Sequence, residues 1–513
     1  MGRAGISTDH HLATEAGAAA LRAGGTAVDA IISAAAVLSV VSPHSSGLGG
    51  DAFAIVTPAG SPVEVLEAVG RAPSGADPAG LRKEGLDRPP AVRDMRSVTV
   101  PGCVDGWFAL HERFGRLPVA ELLEPAAAWG RRGFPASPEL LAVLGRIPDD
   151  AEVRPGFAPS GADGLVRPAD LARTMQQLAE GGRDAFYAGD FAAALVARSP
   201  ELFAPEDLAP VHSRWRAPLV VPALGHLIHL PPPPSQAYVT GAAASVAGAL
   251  ALPSDPSSPL WPHLLSEAVL ACAHDREQRL HEGMDGVAEL ADAELRRRAA
   301  SVRDDRTWEG RLPPSAGCTT YLCAVDSEGM GVSYIQSIAS VFGSQLVVGD
   351  TGVVLHNRGQ GFSLEAGHPA ELAPGRRPPH TLAPALVTDV GGALTAVLGT
   401  RGADAQPQIV LQLLVRLLMH RQSAGKASGS ARWLLTRRGD PFSTWRGDGR
   451  PQTRVEAGAP PAWVDGLRAR GHDVSVAPPG DPAFGSAHVI TAGDDGVDAA
   501  ADTRTSTSAS RVL

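Results

Sequence analysis

Long apolar runs alternate with short glycine-rich breaks near the start of the chain, a pattern typical of helices joined by tight turns. The alanine-rich residues 13–23 predict one helix, which Gly24 and Gly25 end, because glycine readily adopts the conformation of a helix C-terminus. Residues 27–41 predict a second helix that stops before Pro43. The elements expected next are a glycine-rich loop at residues 43–51 and short strands at 52–57 and 63–68.

Later in the chain the period of the pattern shortens to two, which is typical of strands. Residues 319–325 predict a strand, 327–330 a turn and 331–337 a second strand, and together they predict a hairpin. Two further strands are predicted at 382–387 and 393–398.

The register of this hairpin determines what faces Thr319. Pairing Asp326 with Gly331 places Thr319 opposite Ile338, and a slip of one residue places it opposite Ser337. In either register a hydroxyl residue is expected close to Thr319 on the neighbouring strand.

A glycine-containing loop at residues 399–404 leads from the last predicted strand into a helix expected over 406–420. The start of a helix presents unbonded N–H groups and the positive end of its dipole, so this loop is a candidate anion site. The tail after Asp494 is rich in small and polar residues and is expected to be frayed.

Composition narrows the functional classes. The 513 residues carry a net charge of −10, which argues against a surface for nucleic acid or anionic membranes. The longest apolar run, residues 28–41, is short for a membrane helix and contains Asp29. The opening residues lack the pattern of a secretion signal, and the few cysteines form neither a disulfide framework nor a zinc motif. We therefore expect a cytoplasmic protein that needs no metal or cofactor. The cysteines are Cys103, Cys272, Cys318 and Cys323.

Thr319 allows two interpretations. Threonine is common in strands, so it can be an ordinary strand residue. If the peptide bond before it were cut, the same residue would supply a free amine as base and a hydroxyl as nucleophile. The local sequence alone favours the first interpretation, and the motifs elsewhere in the chain favour the second.

Five motifs in one order resemble the γ-glutamyltranspeptidase family of N-terminal-nucleophile hydrolases, which includes bacterial acylases. Each motif is weak alone, but together they span most of the chain. They are RAGGTAVDA at residues 22–30, HSSGLGG at 44–50, GRAP at 70–73, VPGCVDGW at 100–107, and the threonine pair 319–320 followed by Val325 and Asp326 and later by Phe342 and Gly343.

The resemblance implies an α+β fold, the four-layered αββα sandwich of N-terminal-nucleophile hydrolases. It also implies a proenzyme that cuts itself between Cys318 and Thr319. The large chain would be residues 1–318 and the small chain residues 319–513. Both would contribute to one sandwich as a heterodimer, which could dimerise further.

The same resemblance assigns roles to individual residues. Thr319 takes the place of the nucleophile, and its new α-amine, with an ordinary pKa of about 8, would be a useful base near neutral pH. Alanine at position 403 is acceptable there if its φ is negative. The other matched positions are Ser337 for a hydroxyl that hydrogen-bonds the nucleophile, Gly402 and Ala403 for the oxyanion N–H groups, Arg71 for a substrate carboxylate, and His380 and Thr381 for a serine pair in the substrate pocket.

The sequence departs from the family where a transpeptidase would bind the glutamyl head group. Asparagine, glutamine and aspartate are replaced by Ala339, Arg358 and Gly361. The anionic ligand for an ammonium group is missing and a cation stands nearby, so a free γ-glutamyl group would be bound poorly. Arg71 and Arg358 together suggest an acyl group that ends in a carboxylate.

The expected activity is that of a self-processing, γ-glutamyltransferase-like amidohydrolase that acts on a small-molecule amide. Thr319 would attack a γ-glutamyl or related carboxylated acyl amide, and water or an amine would resolve the acyl-enzyme. One alternative is a true γ-glutamyltransferase of glutathione metabolism that uses replacement residues such as Arg358. The other is an uncleaved, inactive homologue that binds a ligand or partner.

Structural roles compete with the functional ones at several positions. Ser337 could only satisfy a backbone group, and Arg71 could be a solvated arginine at a strand end. The loop at Gly402 could be a plain turn, and Arg358 is balanced between the two roles. His44 is expected to be a buried, hydrogen-bonded histidine with no catalytic role.

Overall fold

Two antiparallel sheets face each other in the computed structural model, which describes residues 2–308, 318–437 and 450–513. The described strands are, in chain order, Gly5–Thr8 (β1), Asp51–Thr57 (β2), Glu64–Ala68 (β3), Phe134–Pro135 (β4), Leu165–Val166 (β5), Ser213–Arg216 (β6), Leu219–Ala223 (β7), His226–Leu230 (β8), Cys318–Val325 (β9), Gly331–Ala339 (β10), Val347–Val348 (β11), Val353–Val354 (β12), Ala385–Thr388 (β13), Leu394–Thr400 (β14), Trp433–Thr436 (β15), Gln452–Glu456 (β16), Asp473–Ala477 (β17), Ala487–Gly493 (β18), Gly496–Ala501 (β19) and Ala509–Val512 (β20).

Helices cover the outer faces of both sheets. Those in the described residues are His11–Arg22 (α1), Ala27–Val41 (α2), Pro78–Lys83 (α3), Cys103–Phe114 (α4), Val119–Arg132 (α5), Pro138–Leu144 (α6), Arg154–Phe157 (α7), Ala169–Gly181 (α8), Asp184–Tyr187 (α9), Asp190–Arg198 (α10), Pro205–Leu208 (α11), Tyr238–Ala249 (α12), Leu260–Ala273 (α13), Arg276–Arg279 (α14), Gly286–Glu289 (α15), Asp292–Ser301 (α16), Gln406–Leu414 (α17), Ala424–Gly429 (α18) and Pro461–Ala469 (α19).

The layers stack in the order helix, sheet, sheet, helix. The first sheet has the strand order β20-β1-β9-β10-β2-β3-β6 and the second β19-β18-β14-β13-β8-β7. One core packs α1, α2, α4, α5 and α8 against the first sheet, and another packs α12, α13 and α17 against the second. A third core lies between the sheets, where Tyr321 and Ile335 meet Leu386 and Val397. The predicted αββα sandwich is confirmed.

The hairpin β9–β10 forms as predicted, and its register answers the question left open by the sequence. Asp326 Oδ1 accepts the N–H groups of Glu328 and Met330, each at 3.0 Å, and so holds the turn together. The pairs from Val325 with Gly331 to Thr320 with Gln336 follow the slipped register. An irregularity then pairs Ala339 with Cys318, so both Ser337 and Ile338 lie opposite Thr319.

The apolar runs near the start of the chain also fold as expected. Helix α1 ends before Gly24, whose φ of 84° is left-handed. Helix α2 spans residues 27–41 and begins with a capping box, in which Thr26 and Asp29 bond each other's backbone N–H groups. Sequence pattern and capping chemistry therefore agree on both helices.

The expectation of a frayed tail is wrong. Residues 496–501 form β19 at the edge of the second sheet, and residues 509–512 form β20, which pairs with β1. Small polar side chains gave no apolar pattern, but the tail's backbone N–H and C=O groups find partners in existing sheets.

Residues from both sides of position 318 interleave in the sheets. Strand β9 lies between β1 and β10, and β13 lies between β8 and β14. The division into chains 1–318 and 319–513 would thus cut through one sandwich, and the cut itself stays a prediction. Among the described helices, none is both long enough and apolar enough to span a bilayer.

Candidate active site

Thr319 lies at the start of β9 with its side chain buried. Strand alternation places it on the same face as Tyr321, which points into the layer between the sheets. Its Oγ1 donates a hydrogen bond to Ser337 Oγ at 3.2 Å. The structure therefore brings together the two hydroxyls that the sequence predicts as neighbours.

Ser337 Oγ is a shared acceptor. It also accepts from Arg358 Nη2 at 3.1 Å and from the backbone N–H of Ala339 at 2.9 Å. Because a hydroxyl oxygen has two lone pairs, the longest of the three bonds, from Thr319, is the weakest and the most easily exchanged. A serine oxygen held by a guanidinium is a poor base, but this one is placed to accept from the Thr319 hydroxyl.

The glycine-rich loop before β2 supports Ser337 from behind. A Cβ atom on Gly50 would lie 2.4 Å from the carbonyl oxygen of Ser337, and one on Gly49 would lie 2.2 Å from that of Val354. Only glycine allows this close approach of the backbones. The loop therefore fixes the irregular part of β10 that carries Ser337.

Asp51 follows this loop and pairs across the sheet with Ser337. Its Oδ1 accepts the N–H groups of Gly70 and Gly102, each at 3.1 Å. Its Oδ2 lies 3.4 Å from His356 Nδ1 and 3.4 Å from His380 Nε2. This fully buried carboxylate thereby ties four segments of the chain together beneath the candidate site.

The electrostatics of this cluster keep Asp51 ionised and His380 neutral. Burial acts to raise the pKa of Asp51, but the charge and hydrogen bonding of His356 and His380 lower it well below its usual range. Burial lowers the pKa of His380 to about 4, with a further contribution from the charge of Arg358 and opposition from Asp51. At neutral pH a neutral His380 therefore faces an ionised Asp51 carboxylate.

Arg358 links this cluster to the nucleophile. Its guanidinium is buried and donates to Thr381 Oγ1 at 3.4 Å as well as to Ser337. Its Nε has no hydrogen-bond partner among the described residues. Burial is the main cause that lowers the pKa of Arg358 to about 10. The negative charge of Asp51 opposes this downward shift in pKa, and the positive charge of Arg276 adds to it. The group therefore stays charged near neutral pH.

A cleft opens beside Arg358, with about 400 Å³ of empty space including its mouth. Ala339, Arg358 and Gly361, the three positions that depart from the family pattern, all line it together with Thr381. His380 lies beneath it, fully buried. The substitutions noted in the sequence therefore converge on one cleft.

The cleft also contains an ion pair that the sequence did not suggest. Arg276 and Glu277 line it and contact each other, and Arg88 Nη2 donates to the second oxygen of Glu277 at 3.1 Å. Arg276 Nη2 lies 3.8 Å from Asp404 Oδ1. Glu277 is thus already shared by two arginines, which leaves it little capacity to bind a substrate ammonium.

The loop after β14 reaches the same end of the sandwich as Thr319. A Cβ on Gly399 would lie 2.3 Å from the Tyr321 ring, and one on Gly331 would lie 2.6 Å from the Leu394 side chain. Strand β14 therefore runs towards the start of β9 and brings the loop at Gly402 to that end.

The backbone of this loop differs from expectation. Ala403 has a φ of +51°, so the condition given above for alanine at this position, a negative φ, is not met. Gly402 has a φ of 130° and caps a short 3₁₀ helix over residues 403–405. Gln236 Nε2 donates to the carbonyl groups of Ala403 at 3.0 Å and Thr381 at 2.7 Å. Within the described residues neither the Gly402 nor the Ala403 N–H donates a hydrogen bond, so both can receive an anion.

Arg71 is not among the residues that line the cleft. It is exposed, and its Nη1 donates to the carbonyl of Gly375 at 2.6 Å. Its role towards a substrate carboxylate stays a prediction.

Cys318 is the first residue of β9, directly before Thr319. His44 is buried as expected, but its Nδ1 has no hydrogen-bond partner among the described residues.

Sequence reasoning did not assign roles to Asp51, Gln236, Arg276 or His356. Asp51 is visible as the polar residue that ends the glycine loop, and its full burial is what gives it importance. The other three lie far apart in the chain and meet only through the fold. No local pattern could have grouped them.

Comparisons with known proteins identify the family of this chain. The family model of gamma-glutamyltranspeptidase matches residues 13–512. The chain belongs to the γ-glutamyltranspeptidase family. Within this family it is 34% identical to the oxamate amidohydrolase proenzyme of Klebsiella pneumoniae subsp. pneumoniae, over 95% of this chain and 94% of the relative.

Two further members extend the comparison. The chain is 31% identical to the glutathione hydrolase-like YwrD proenzyme of Bacillus subtilis (strain 168), over 96% of this chain and 95% of the relative. It superposes on the crystal structure of cephalosporin acylase from Bacillus halodurans with a TM-score of 0.88 and 27% identity, covering 99% of this chain and 96% of that one. The chain thus resembles both hydrolase proenzymes and an acylase.

Proposed function

We propose that this protein is a self-processing amidohydrolase with Thr319 as its nucleophile. The observation that supports it is the continuous contact from Thr319 through Ser337 to Arg358, which joins a candidate nucleophile to the wall of a cleft. Cleavage between Cys318 and Thr319 would free the α-amine of Thr319. The two products, residues 1–318 and 319–513, would remain together as a heterodimer.

The freed amine is the proposed base. An α-amine with an ordinary pKa of about 8 is partly neutral near pH 7.5, whereas Ser337 is held by a cation. The amine takes the proton of the Thr319 hydroxyl while Oγ1 attacks the amide carbonyl. The resulting oxyanion lies on the N–H groups of Gly402 and Ala403, which have no other described partner. The proton then passes to the leaving amine, and an ester links the acyl group to Thr319.

Water completes the cycle by attacking this ester. The α-amine again takes a proton, and collapse of the second oxyanion releases the acid and restores the Thr319 hydroxyl. An amine in place of water would give acyl transfer by the same route. We propose hydrolysis as the main outcome, because the cleft lacks the family's glutamyl-binding residues.

The proposed substrate class is an amide whose acyl group carries a carboxylate. Arg358 is charged, buried and has an unpaired Nε, while Glu277 is occupied by Arg88 and Arg276. An anionic acyl group is therefore favoured over an acyl group with an ammonium. The relative named oxamate amidohydrolase, by its name, acts on a small amide of this class.

Intact-mass analysis tests the self-processing. We expect the purified 52.9 kDa chain to yield two chains, the smaller beginning at Thr319. The variant Thr319→Ala should stay intact, while Thr320→Ala, its neighbour on the same strand, should still be cut. A wild-type chain that stays whole after prolonged incubation would exclude this proposal and favour an uncleaved binding protein.

A substrate panel tests the specificity of the processed protein. We expect hydrolysis of oxamate or of longer dicarboxylic monoamides to exceed that of γ-glutamyl anilide and of neutral acyl amides. Efficient turnover of γ-glutamyl anilide that rises with added amine acceptor would instead identify a γ-glutamyltransferase.

A further inference from the structure

We propose that His263, Glu267 and His472 form a site for a divalent transition metal of the zinc class, on the helical layer that covers the second sheet. One ligand atom from each residue lies within 4.8 Å of the others. His263 Nδ1 is 2.8 Å from His472 Nε2, and that nitrogen is 3.9 Å from Glu267 Oε1. All three residues are buried. Two imidazoles and a carboxylate are a ligand set that zinc accepts, with a fourth position left for water.

The backbone holds the three side chains on rigid elements. His263 and Glu267 are one turn apart on α13, so they project from the same face of that helix. His472 follows α19, which packs against α13. Its imidazole meets that of His263 edge to face, with ring centroids 5.1 Å apart.

The outer nitrogen of each imidazole has its own partner, as is typical of metal-binding histidines. His263 Nε2 lies 2.8 Å from the carbonyl of Arg303, which can only accept, so this nitrogen carries a hydrogen. His472 Nδ1 lies 3.0 Å from Thr453 Oγ1. When both outer nitrogens donate, the two inner nitrogens present lone pairs towards each other and towards Glu267.

Within the histidine pair, metal binding needs a shift of one hydrogen in His472. Without metal, His472 Nε2 donates to His263 Nδ1, and the Thr453 hydroxyl donates to His472 Nδ1. With metal, the hydrogen of His472 moves to Nδ1 and is donated to Thr453. Each of these polar atoms keeps a partner in both states.

The charge of Glu267 also favours a cation. Its carboxylate accepts from Thr307 Oγ1 at 2.6 Å and from the N–H of Trp308 at 3.0 Å. Within residues 2–308, 318–437 and 450–513, no arginine or lysine forms an ion pair with it, although it is buried. A buried carboxylate without a cationic partner is costly, and a dication held by two neutral imidazoles would offset that cost.

The distances require the side chains to move. Ligand atoms about 2.0–2.1 Å from a tetrahedral zinc ion lie about 3.3 Å apart, so the imidazoles would separate by about half an ångström. Glu267 would move inward by about 0.6 Å towards His472 and by up to about 1.5 Å towards His263. A cavity opens beside His472, and its lining residues are Thr307, Trp308, Arg450, Pro451, Gly471, His472 and Asp473.

The position of the site indicates which part of the chain a bound metal would stabilise. Thr307 and Trp308, which bond Glu267, are the last described residues before the segment that leads to Thr319. A bound metal would hold these two residues in place. The role is structural, and it does not depend on the proposed reaction at Thr319.

Metal content tests this inference without any activity assay. Tag-free protein is treated with a chelator, dialysed against zinc and then against metal-free buffer, and analysed by mass spectrometry for elements. We expect one zinc per chain, retained by His226→Gln but lost by His263→Gln and His472→Gln. Zinc should raise the unfolding midpoint of wild type by about 2–5 °C and leave the two variants unchanged.

Cobalt provides a second measurement. Co²⁺ at this site should give the intense visible absorption of a four-coordinate ion, and Glu267→Gln, which keeps the size of the side chain, should weaken it. Zinc retained equally by wild type and His263→Gln, or no retained zinc in folded wild type, would overturn the proposal and leave a hydrogen-bonded histidine pair. The variants' circular dichroism and unfolding midpoints without metal establish that they fold.

Discussion

The guanidinium of Arg358 donates to Ser337 Oγ at 3.1 Å, the same oxygen that accepts the hydroxyl of Thr319. Two successive hydrogen bonds thus join the wall of the cleft to the candidate nucleophile. A substrate carboxylate that draws Arg358 towards itself would loosen its hold on Ser337 and leave that oxygen freer to accept from Thr319. In the proposed mechanism, substrate binding and the orientation of Thr319 would be coupled through one arginine.

Replacing Arg358 should impair turnover of carboxylated amides most. We expect Arg358→Gln to lower kcat/KM for them by about 100- to 1,000-fold, because a buried charge-assisted contact is lost. Steady-state kinetics on a dicarboxylic monoamide and on a neutral amide of equal length measure this. Arg296→Gln, on an exposed arginine that does not line the cleft, is the matched control, and equal losses on both substrates would contradict the assigned role.

Ser337 should act on kcat through its hydroxyl. We expect Ser337→Ala to slow the acylation step by about 10- to 100-fold, since Thr319 loses its orienting partner and Arg358 loses an acceptor. Ser337→Thr, which keeps the hydroxyl, should retain most of the activity. Single-turnover measurements on processed enzyme separate acylation from hydrolysis, and an alanine variant as fast as wild type would refute the orienting role.

The left-handed backbone of Ala403 predicts a stabilising substitution. Alanine at a φ of +51° is strained, whereas glycine is not, so Ala403→Gly should gain about 0.5–1 kcal/mol in the free energy of unfolding. Ala405→Gly, two residues on at a φ of −76°, should lose a similar amount. Thermal unfolding of both variants measures the difference, and a lower midpoint for Ala403→Gly would show that its methyl group contributes more than the strain costs.

The free energy of unfolding should fall as the pH is lowered from about 7 to about 4, and protonation of His380 should contribute to this fall. Its pKa is about 4 in the folded protein and about 6.5 when unfolded, so between these values only the unfolded chain binds the proton. Its share of the stability is present above pH 6.5 and is lost as the pH falls towards 4, on the order of 3 kcal/mol. Denaturant unfolding of Thr319→Ala between pH 4 and 7 measures the slope. The double variant with His380→Gln should show a shallower slope, and identical slopes would exclude His380.

The sequence predicted those parts of the site that depend on local pattern. The hairpin, helix α2 and the loop at Gly402 follow from periodicity and glycine placement, and they sufficed to bring Ser337 beside Thr319. The irregularity at Ser337 depends on the close approach of Gly50, which no pairing rule contains. Burial of Asp51 between two histidines likewise depends on segments that are distant in the chain.

One prediction failed and one condition was not met, each for an identifiable reason. The tail after Asp494 was judged by its side chains, although its backbone had sheet edges to pair with. Alanine at position 403 was acceptable on condition of a negative φ, yet the turn from β14 into a 3₁₀ helix has a positive φ there. In both cases the fold offset a local preference worth about 1 kcal/mol per residue.

The interleaved sheets give the proposed cut an unusual thermodynamic signature. Because β9 lies between β1 and β10, the two chains could separate only by tearing both sheets open. The pair would remain bound at any practical dilution while it stays folded. Once unfolded, however, the chains would drift apart, and refolding would become a second-order encounter. The unfolding midpoint of the cut protein should therefore rise with its concentration, whereas that of uncut Thr319→Ala should not.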